Sequence, residues 1–354
     1  YIKTYANGNA DWNELVSILD KKSPKDIKKW SDVWVHKSGR PIISDAIEYK
    51  NGKITSFKIY QEAEDGTDKL WTQSFSIGFV YEKEVKTVDV TLTNKEFVFS
   101  GAIGFKKPKH IIYNYNGFGY GVFPVHENTI QFYSEIKDDV ARGYAYINLY
   151  ENFLSKKISP KKAFAAFLNG ILEEKNELVT NYLSGSVSSL YWSFFNQEQR
   201  AGAQQELEDK VLNLLNSDIS RNLKRTVFGL YRSVATSLKG KETLYQLWAK
   251  KMKIKDLYIS ENDFEGIATQ LAIYQHPKAA EVLSEQLTRI SNPDRLKRFK
   301  WLLPTLSDDE KVRDDFMLLL LKKEHREKES WVQSALSAIH HPLRQKSGIK
   351  HFKS

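Results

Sequence analysis

Cysteine is absent from the 354-residue chain, which excludes disulfide bonds, cysteine–zinc sites and thiol catalysis. This absence is compatible with the cytoplasm and with the periplasm alike. Long apolar runs are also missing: the longest compact one is FMLLLL at 316–321, whereas a membrane span needs roughly 18 to 20 residues. The first residues, YIKTYANGNADWNEL, have neither the basic nor the apolar region of a signal peptide. We therefore expect a soluble protein without a membrane segment.

Charge of one sign does not dominate the sequence. Lysine and arginine number 53 against 44 acidic residues, which gives a formal net charge of +9. Both signs are interspersed, so a solvated basic surface is expected and nucleic-acid binding is not. The methionines are Met252 and Met317, and the chain starts with Tyr1. We expect it to be a piece of a longer protein.

Three patterns follow one another along the chain. Residues 1–36 are predicted to form short helices, one of them beginning at Ser23-Pro24. Residues 41–125 alternate apolar and polar side chains, as β-strands do: Phe75, Ile77 and Phe79 are expected on a buried face, and Ser74, Ser76 and Gly78 on the opposite one. Val88, Val90 and Leu92 are likewise expected to point inward. Asn51-Gly52 predicts a hairpin turn, and Asp65-Gly66 predicts a second turn.

From about residue 131 the apolar spacing becomes helical. Phe164, Phe167, Leu168 and Ile171 form one stripe after a predicted start at Ser159-Pro160, and Leu207, Val211, Leu214 and Leu215 form another. Ser260 and Asp263 predict a capping box. The predicted fold is multidomain α+β, with a small antiparallel β-sandwich followed by a large all-α superhelix of HEAT/ARM-like helix pairs. The predicted domains are 1–36, 37–130 and 131–354.

His126 and Glu127 are the first two residues of the zinc-protease motif H-E-x-x-H. The position of the second histidine is occupied by Ile130, and the surrounding pattern predicts a strand end, whereas the motif requires both histidines on one helix face. We interpret the pair as a surface dipeptide.

The pair His340-His341 is a second metal candidate. Adjacent helical residues point about 100° apart, so both seldom bind one ion, and Pro342 predicts a helix end at which the histidines cap carbonyls or pack. Gly117, Gly119 and Gly121 lack the spacing of a phosphate-binding loop and are interpreted as turn glycines before a strand.

Paired carboxylates are expected on solvated helix surfaces, at Glu173-Glu174 and at Asp314-Asp315. No G-x-S-x-G motif is present, and no Ser, His and Asp stand in a familiar catalytic order. No catalytic or metal-binding residue is assigned, and the substrate-binding residues are unknown.

Several stretches resemble the aminopeptidase N-like (alanyl and leucyl aminopeptidase) zinc metallopeptidases of the gluzincin type. Residues 5–43 are similar to the segment that closes their thermolysin-like catalytic domain, and YNYNGFGYGVFPV is similar to one of their strands with a glycine turn. The late helical stretches carry the remaining marks, which are Arg289-Ile290, Asn292-Pro293-Asp294-Arg295, Phe299, Leu306-Ser307, Arg313-Asp314, Trp331-Val332 and His340-His341-Pro342-Leu343-Arg344.

The resemblance implies a non-catalytic role for this chain. Catalysis in the family uses H-E-x-x-H, a third zinc ligand on a following helix and a G-x-M-E-N loop, and the sequence contains neither motif. The resemblance places them, with the zinc ion, upstream of Tyr1, in a catalytic domain that would be the partner of this region. The helical domain would close over the active site and shape the cavity that admits peptide substrates.

Two other hypotheses stay open at this stage. The chain could be a stand-alone helical scaffold or a noncatalytic homologue that recruits a protein partner, and its sequence would look the same. Nucleic-acid binding through the basic surface would be steeply salt-dependent. We also expect residues 41–354 to fold without the catalytic domain and to expose an apolar patch that favours dimers.

Overall fold

The computed structural model describes residues 1–353. The chain forms two compact units, Tyr1–Ala166 and the residues from Phe167 onward. Both predicted boundaries, at 36/37 and 130/131, lie inside the first unit. As boundaries of independently folding domains they stay predictions.

The first unit begins with short helices, as expected, but one of them starts later than predicted. Helix α1, Trp12–Lys22, has a capping box made by Asp11 and Glu14. Helix α2 is Ile27–Ser31 and continues into a π-helical turn, Asp32–His36. Asp26 caps α2 by accepting a hydrogen bond from the Lys29 N–H. The predicted start at Ser23-Pro24 is wrong, because the Ser23 hydroxyl accepts from the Lys25 N–H in the turn between α1 and α2.

Six antiparallel strands form two three-stranded sheets. The first sheet has the order β1-β2-β5 and the second β4-β3-β6. The strand bounds are β1 Pro41–Lys50, β2 Lys53–Ala63, β3 Gln73–Val80, β4 Val85–Leu92, β5 Glu96–Val98 and β6 His110–Tyr113. The predicted hairpin joins β1 to β2, with φ values of 51° at Asn51 and 71° at Gly52, the left-handed conformation that these residues tolerate.

The core between the two sheets is built largely from aromatic side chains. The Phe75, Ile77 and Phe79 side chains are buried as predicted, together with Val90 and Leu92. The ring of Phe57 packs edge-on against the rings of two other phenylalanines at centroid distances of 6.2 and 5.2 Å. Such tilted pairs add stability beyond area burial.

One expectation for β3 is wrong. Ser76 and Gly78 were expected on an exposed face, but the segment after β6 covers them. The Asn116 side chain accepts a hydrogen bond from the Ser76 N–H at 3.1 Å. A Cβ atom at Gly78 would stand 2.3 Å from the Tyr115 ring, so glycine is what allows that ring to lie on the strand.

Helical structure follows the sheets, and it starts slightly before the predicted residue 131. A 3-10 helix spans Glu127–Glu135 and α3 spans Asp139–Leu154. Helix α4, Pro160–Glu173, begins at the predicted Ser159-Pro160 and buries its predicted stripe. The later helices are α5 Glu177–Ser189, α6 Gln197–Asn216, α7 Arg221–Val234, α8 Leu238–Trp248, α9 Glu261–Ile273, α10 Ala279–Arg289, α11 Pro293–Leu306, α12 Glu310–Leu319, α13 Glu329–Ile339 and α14 Gln345–Gly348.

The second unit is built from helices that pack in a regular series. Helices α5, α7, α9, α11 and α13 each contact the next member of that series, and α6, α8, α10 and α12 pack beside them. Leu207, Val211 and Leu215 of α6 are fully buried, and the capping box of Ser260 and Asp263 is present at the start of α9. The predicted α+β fold, with an antiparallel two-sheet region followed by a helical region, is confirmed.

Candidate functional site

The half-motif at His126 and Glu127 does not form a zinc site. His126 precedes the 3-10 helix as its N-cap, so the predicted strand end is wrong. Its Nε2 atom lies 3.7 Å from an Asp45 carboxylate oxygen, and the Glu127 carboxylate pairs with Lys162. Ile130 is buried. These residues do not fit a zinc ion, since two histidines on one α-helix face are missing.

Glycines 117, 119 and 121 are turn glycines, as interpreted. Gly117 has a φ of 75° and Gly121 one of 136°. A Cβ atom at Gly121 would stand 2.5 Å from the Pro41 carbonyl oxygen. The strand expected after them is reduced to a single bridge between Val122 and Ile42. No group of three or more His, Asp or Glu side chains within residues 1–353 is arranged to hold a metal ion.

His340 and His341 stand at a helix end and pack, as predicted. His340 follows the last residue of α13, and its N–H donates to the Leu336 carbonyl. The imidazole of His341 lies 4.5 Å from the Trp192 ring and 5.9 Å from the Tyr274 ring. Its Nδ1 atom accepts a hydrogen bond from the Leu343 N–H at 3.3 Å.

The paired carboxylates differ from each other. Glu173 and Asp315 are exposed, as expected. Glu174 is only 8% exposed, and its carboxylate accepts hydrogen bonds from the Lys175 and Asn176 N–H groups, both at 2.8 Å. Its predicted place on a solvated face is therefore wrong: the side chain closes the loop between α4 and α5. Asp314 is half-buried and pairs with Lys350 and His351.

A cavity in the second unit has a volume of about 580 Å³, and four basic side chains are part of its lining. We call it the arginine pocket, defined by Arg200 of α6, Arg313 of α12, Arg344 and Lys346. Gln204, Gln275 and Glu310 also line it. These cations come from three separate segments, α6, α12 and the stretch that holds both Arg344 and Lys346, so the pocket exists only after the helices pack.

Arg344 donates hydrogen bonds to the carboxyl ends of three helices. Its Nη1 atom donates to the Thr305 carbonyl at the end of α11, at 2.7 Å, and to the Ala338 carbonyl near the end of α13, at 3.4 Å. Its Nη2 atom donates to the Ala272 carbonyl of α9 at 3.4 Å and to the Leu306 carbonyl at 3.3 Å. Helix carboxyl ends carry orphan carbonyls and partial negative charge, which a buried guanidinium satisfies.

The other two arginines of the pocket also donate to carbonyls. Arg313 is only 7% exposed, and its Nη1 atom donates to the Ser307 and Asp308 carbonyls at 2.6 and 2.9 Å. Arg200 donates to the Phe195 carbonyl and stands with its guanidinium carbon 5.8 Å from the Trp192 ring. None of the three guanidiniums has a carboxylate within 4.0 Å among residues 1–353.

The electrostatics of the pocket reflect this excess of cations. Burial, together with the neighbouring Arg313 charge, lowers the pKa of Arg344 to about 10. Burial lowers the pKa of His341 to about 4, and the charges of Arg344 and Arg200 act in the same direction. Burial is thus the main cause of both shifts and neighbouring cations add to it, whereas the Asp308 charge acts on Arg344 in the opposite direction.

Sequence reasoning missed this pocket as a site. Arg313 and Arg344 belong to stretches that carry the family resemblance, but nothing in them indicates that they meet, and Arg200 is a surface-type residue of a polar helix start. A signal was present in His341-Pro342, which predicts a helix end where carbonyls need donors. Which side chain donates to those carbonyls depends on tertiary packing.

A second cavity, of about 440 Å³, lies in the first unit between the β3–β4 turn and the 3-10 helix. His110 stacks on Phe132 there, with a distance of 4.3 Å between ring centroids, and Tyr115, Tyr133 and Ile136 complete an apolar wall. Burial lowers the pKa of His110.

Comparison with known proteins gives a similarity that covers a small part of the chain. A stretch of 64 residues is 39% identical to Aminopeptidase N of Streptomyces lividans. This stretch is 18% of the chain and 8% of that relative, so the chain matches a small part of the relative's length. No family model matches the sequence.

No helix in the described part of the chain combines the length and the apolar character needed to cross a bilayer.

Proposed function

We propose that this chain is the C-terminal, non-catalytic region of a zinc-dependent aminopeptidase that removes N-terminal residues from peptides. The observation that carries the proposal is the 64-residue similarity to Aminopeptidase N. The order of the structure supports it: short helices come first, then two small antiparallel sheets, then a helical region. This order is the one that the resemblance to aminopeptidase N-like enzymes implies.

In this proposal the region shapes access to an active site that it does not itself contain. The zinc ligands and the catalytic glutamate would belong to a catalytic domain upstream of Tyr1. The helical unit would close over that domain and limit entry to unfolded peptide N-termini. Closure of this kind excludes water and positions the substrate. The chain alone would then be inactive.

The experiment compares two polypeptides from the same gene. For residues 1–354, we expect no stoichiometric zinc by elemental analysis and no turnover of alanyl- or leucyl-aminocoumarin with zinc added. For the polypeptide extended upstream of Tyr1, we expect one zinc per chain and turnover of both. Zinc together with turnover in the short chain would overturn the proposal, because its histidines would then form an active site.

A second candidate function is a stand-alone or noncatalytic scaffold that binds a protein partner. The regular packing of α5 to α13 favours it, since stacked helix pairs offer an extended binding surface. The encoded sequence upstream of Tyr1 separates the candidates. An H-E-x-x-H motif there supports the aminopeptidase, and its absence supports the scaffold.

A further inference from the structure

The arginine pocket holds more positive charge than its surroundings offset. Arg200, Arg313, Arg344 and Lys346 contribute four cations. The carboxyl ends of α9, α11 and α13 contribute roughly half a negative charge each, so they offset about one and a half of the four. The single carboxylate of the wall, Glu310, lies 2.5 Å from the ammonium of Lys350 and is shared with it. A net positive charge is left facing the cavity.

The four cations divide into two kinds. Arg313 and Arg344 are buried and use their N–H groups mainly on backbone carbonyls, so they form a fixed wall. Arg200 is half-buried and bonds one carbonyl, and Lys346 is exposed. A guanidinium has five N–H donors, so Arg200 keeps several for a ligand. The amides of Gln204 and Gln275 border the same space.

The side chains beside Arg200 in the cavity are held in position by contacts with one another. The Gln204 amide donates to the Thr236 hydroxyl at 2.6 Å, and Thr236 in turn lies 3.5 Å from the Tyr191 hydroxyl. Trp192 stands under the Arg200 guanidinium and against His341. A ligand that enters would meet an Arg200 guanidinium already held by Trp192 and the Phe195 carbonyl, which lowers the entropic cost of binding.

We propose that the arginine pocket is a binding site for an oxyanion of the carboxylate or phosphate class, contacted by Arg200 and Lys346 and facing the wall of Arg313 and Arg344. Guanidinium groups bind both kinds of oxyanion through two parallel hydrogen bonds. The oxyanion has two sources: the terminal carboxylate of a peptide, or a free small anion such as inorganic phosphate. The volume of about 580 Å³ accommodates either.

Isothermal titration calorimetry on residues 1–354 tests the site with three probes: inorganic phosphate, trialanine, and trialanine amide. We expect the two oxyanions to bind and to compete with each other, and the amide not to bind. Tighter binding of trialanine than of phosphate identifies a peptide carboxylate as the ligand. The reverse order identifies a free anion. An absence of binding by both oxyanions overturns the proposal, as does equal binding of the amide.

Matched variants locate the binding. Arg200→Gln and Lys346→Gln each remove one cation from the pocket, and Lys300→Gln removes one from an exposed position on α11 outside it. We expect a loss of about tenfold or more in affinity for the first two, since one charge-assisted contact is worth about that factor. Lys300→Gln should bind as the unchanged chain does. Equal affinities in all three variants would contradict the site.

Arg200→Lys and a thermal melt complete the design. The lysine variant keeps the charge but loses the parallel N–H donors of the guanidinium, so we expect its affinity to lie between those of the unchanged chain and Arg200→Gln. Melting curves by circular dichroism check that each variant is folded. The measurement needs neither zinc nor a catalytic domain, so its failure would leave the proposed aminopeptidase role untouched, and failure of that role would leave the oxyanion site untouched.

Discussion

The two units satisfy their buried backbone groups with different side chains. In the first unit the buried polar residues are mostly neutral amides, among them Gln61, Gln73, Asn114, Asn148 and Asn152. In the second unit most of the largest buried polar side chains are charged: Glu174, Glu208, Lys224, Asp263, Glu265, Arg313 and Arg344. The units thus meet the same requirement in two ways.

The geometry of the backbone explains the difference. A loop beside a sheet presents an N–H and a carbonyl close together, and an amide side chain matches both. Gln73 donates to the Tyr120 carbonyl at 3.1 Å and accepts from the Tyr120 N–H at 2.8 Å. Asn114 does the same with Gly119, at 2.9 and 2.7 Å. One neutral residue therefore closes each loop.

A helix end presents groups of one kind only. Glu208 accepts from the Thr236 and Ser237 N–H groups, both at 2.8 Å, at the start of α8. Lys224 donates to the Leu215 carbonyl at 3.0 Å, near the end of α6. Because helix amino ends carry partial positive charge and carboxyl ends partial negative charge, a charged side chain suits each. The helical unit is therefore expected to be the more sensitive to charge substitutions and to pH.

The largest effect is expected from Arg344→Ala. The substitution leaves buried carbonyls of three helices without their donor, so we expect the free energy of unfolding to fall by about 3–5 kcal/mol. Urea unfolding followed by circular dichroism measures the change. The control Arg326→Ala removes an exposed arginine and should leave the midpoint unchanged. A loss as small as the control's would mean that water replaces the guanidinium without cost.

A pH effect comes next, through His341. Its pKa is about 4 in the folded chain against an ordinary value of 6.5, so between these values the unfolded chain binds a proton that the folded chain does not. The contribution of His341 to the free energy of unfolding is therefore fully present above pH 6.5 and is lost as the pH drops toward 4. It amounts to up to about 3 kcal/mol.

The His341 contribution is measured by difference. The free energy of unfolding of the unchanged chain and of His341→Gln is followed from pH 7 to pH 4 in urea, and the variant should show the shallower decline. His36→Gln, at an exposed position in the first unit, should decline as the unchanged chain does. Parallel curves for the unchanged chain and His341→Gln would show that His341 titrates normally.

The smallest effect is expected from Gln73→Ala in the first unit. Two neutral hydrogen bonds to Tyr120 are lost, at about 1 kcal/mol each, so the free energy of unfolding should fall by about 2 kcal/mol. The loss should be the same at pH 5 and at pH 7, because no charge is involved. The exposed Gln131→Ala serves as the control. A pH-dependent loss would break the contrast between the units.

Much of the fold was accessible from the sequence because its signals are local. The Asn51-Gly52 turn, the alternation along β3 and the Ser260–Asp263 capping box each depend on neighbouring residues alone. Ser23-Pro24 failed as a helix start because Asp26 offers a competing cap three residues later. The covered face of β3 was missed because Tyr115, nearly 40 positions away, decides it.

The arginine pocket could not be predicted from the sequence for the same reason. The sequence contains many arginines, and exposure is the ordinary expectation for each. Only packing reveals that Arg344 meets carbonyls of α9, α11 and α13, and that Arg200 and Arg313 border the same cavity. The chemistry of the pocket is a property of long-range contacts. Local spacing cannot encode it.

The position of Arg344 in the chain also bears on how the helical unit is made. The Ala272 carbonyl that it binds is 72 residues earlier in the sequence, so during synthesis α9 and α11 leave the ribosome well before their partner does. Their carboxyl ends are hydrated until it arrives, and the middle of the unit is then held by local helix pairing alone. We therefore expect the contacts of Arg344 to form late, and the ends of α9 and α11 to be accessible to proteases and chaperones until they do.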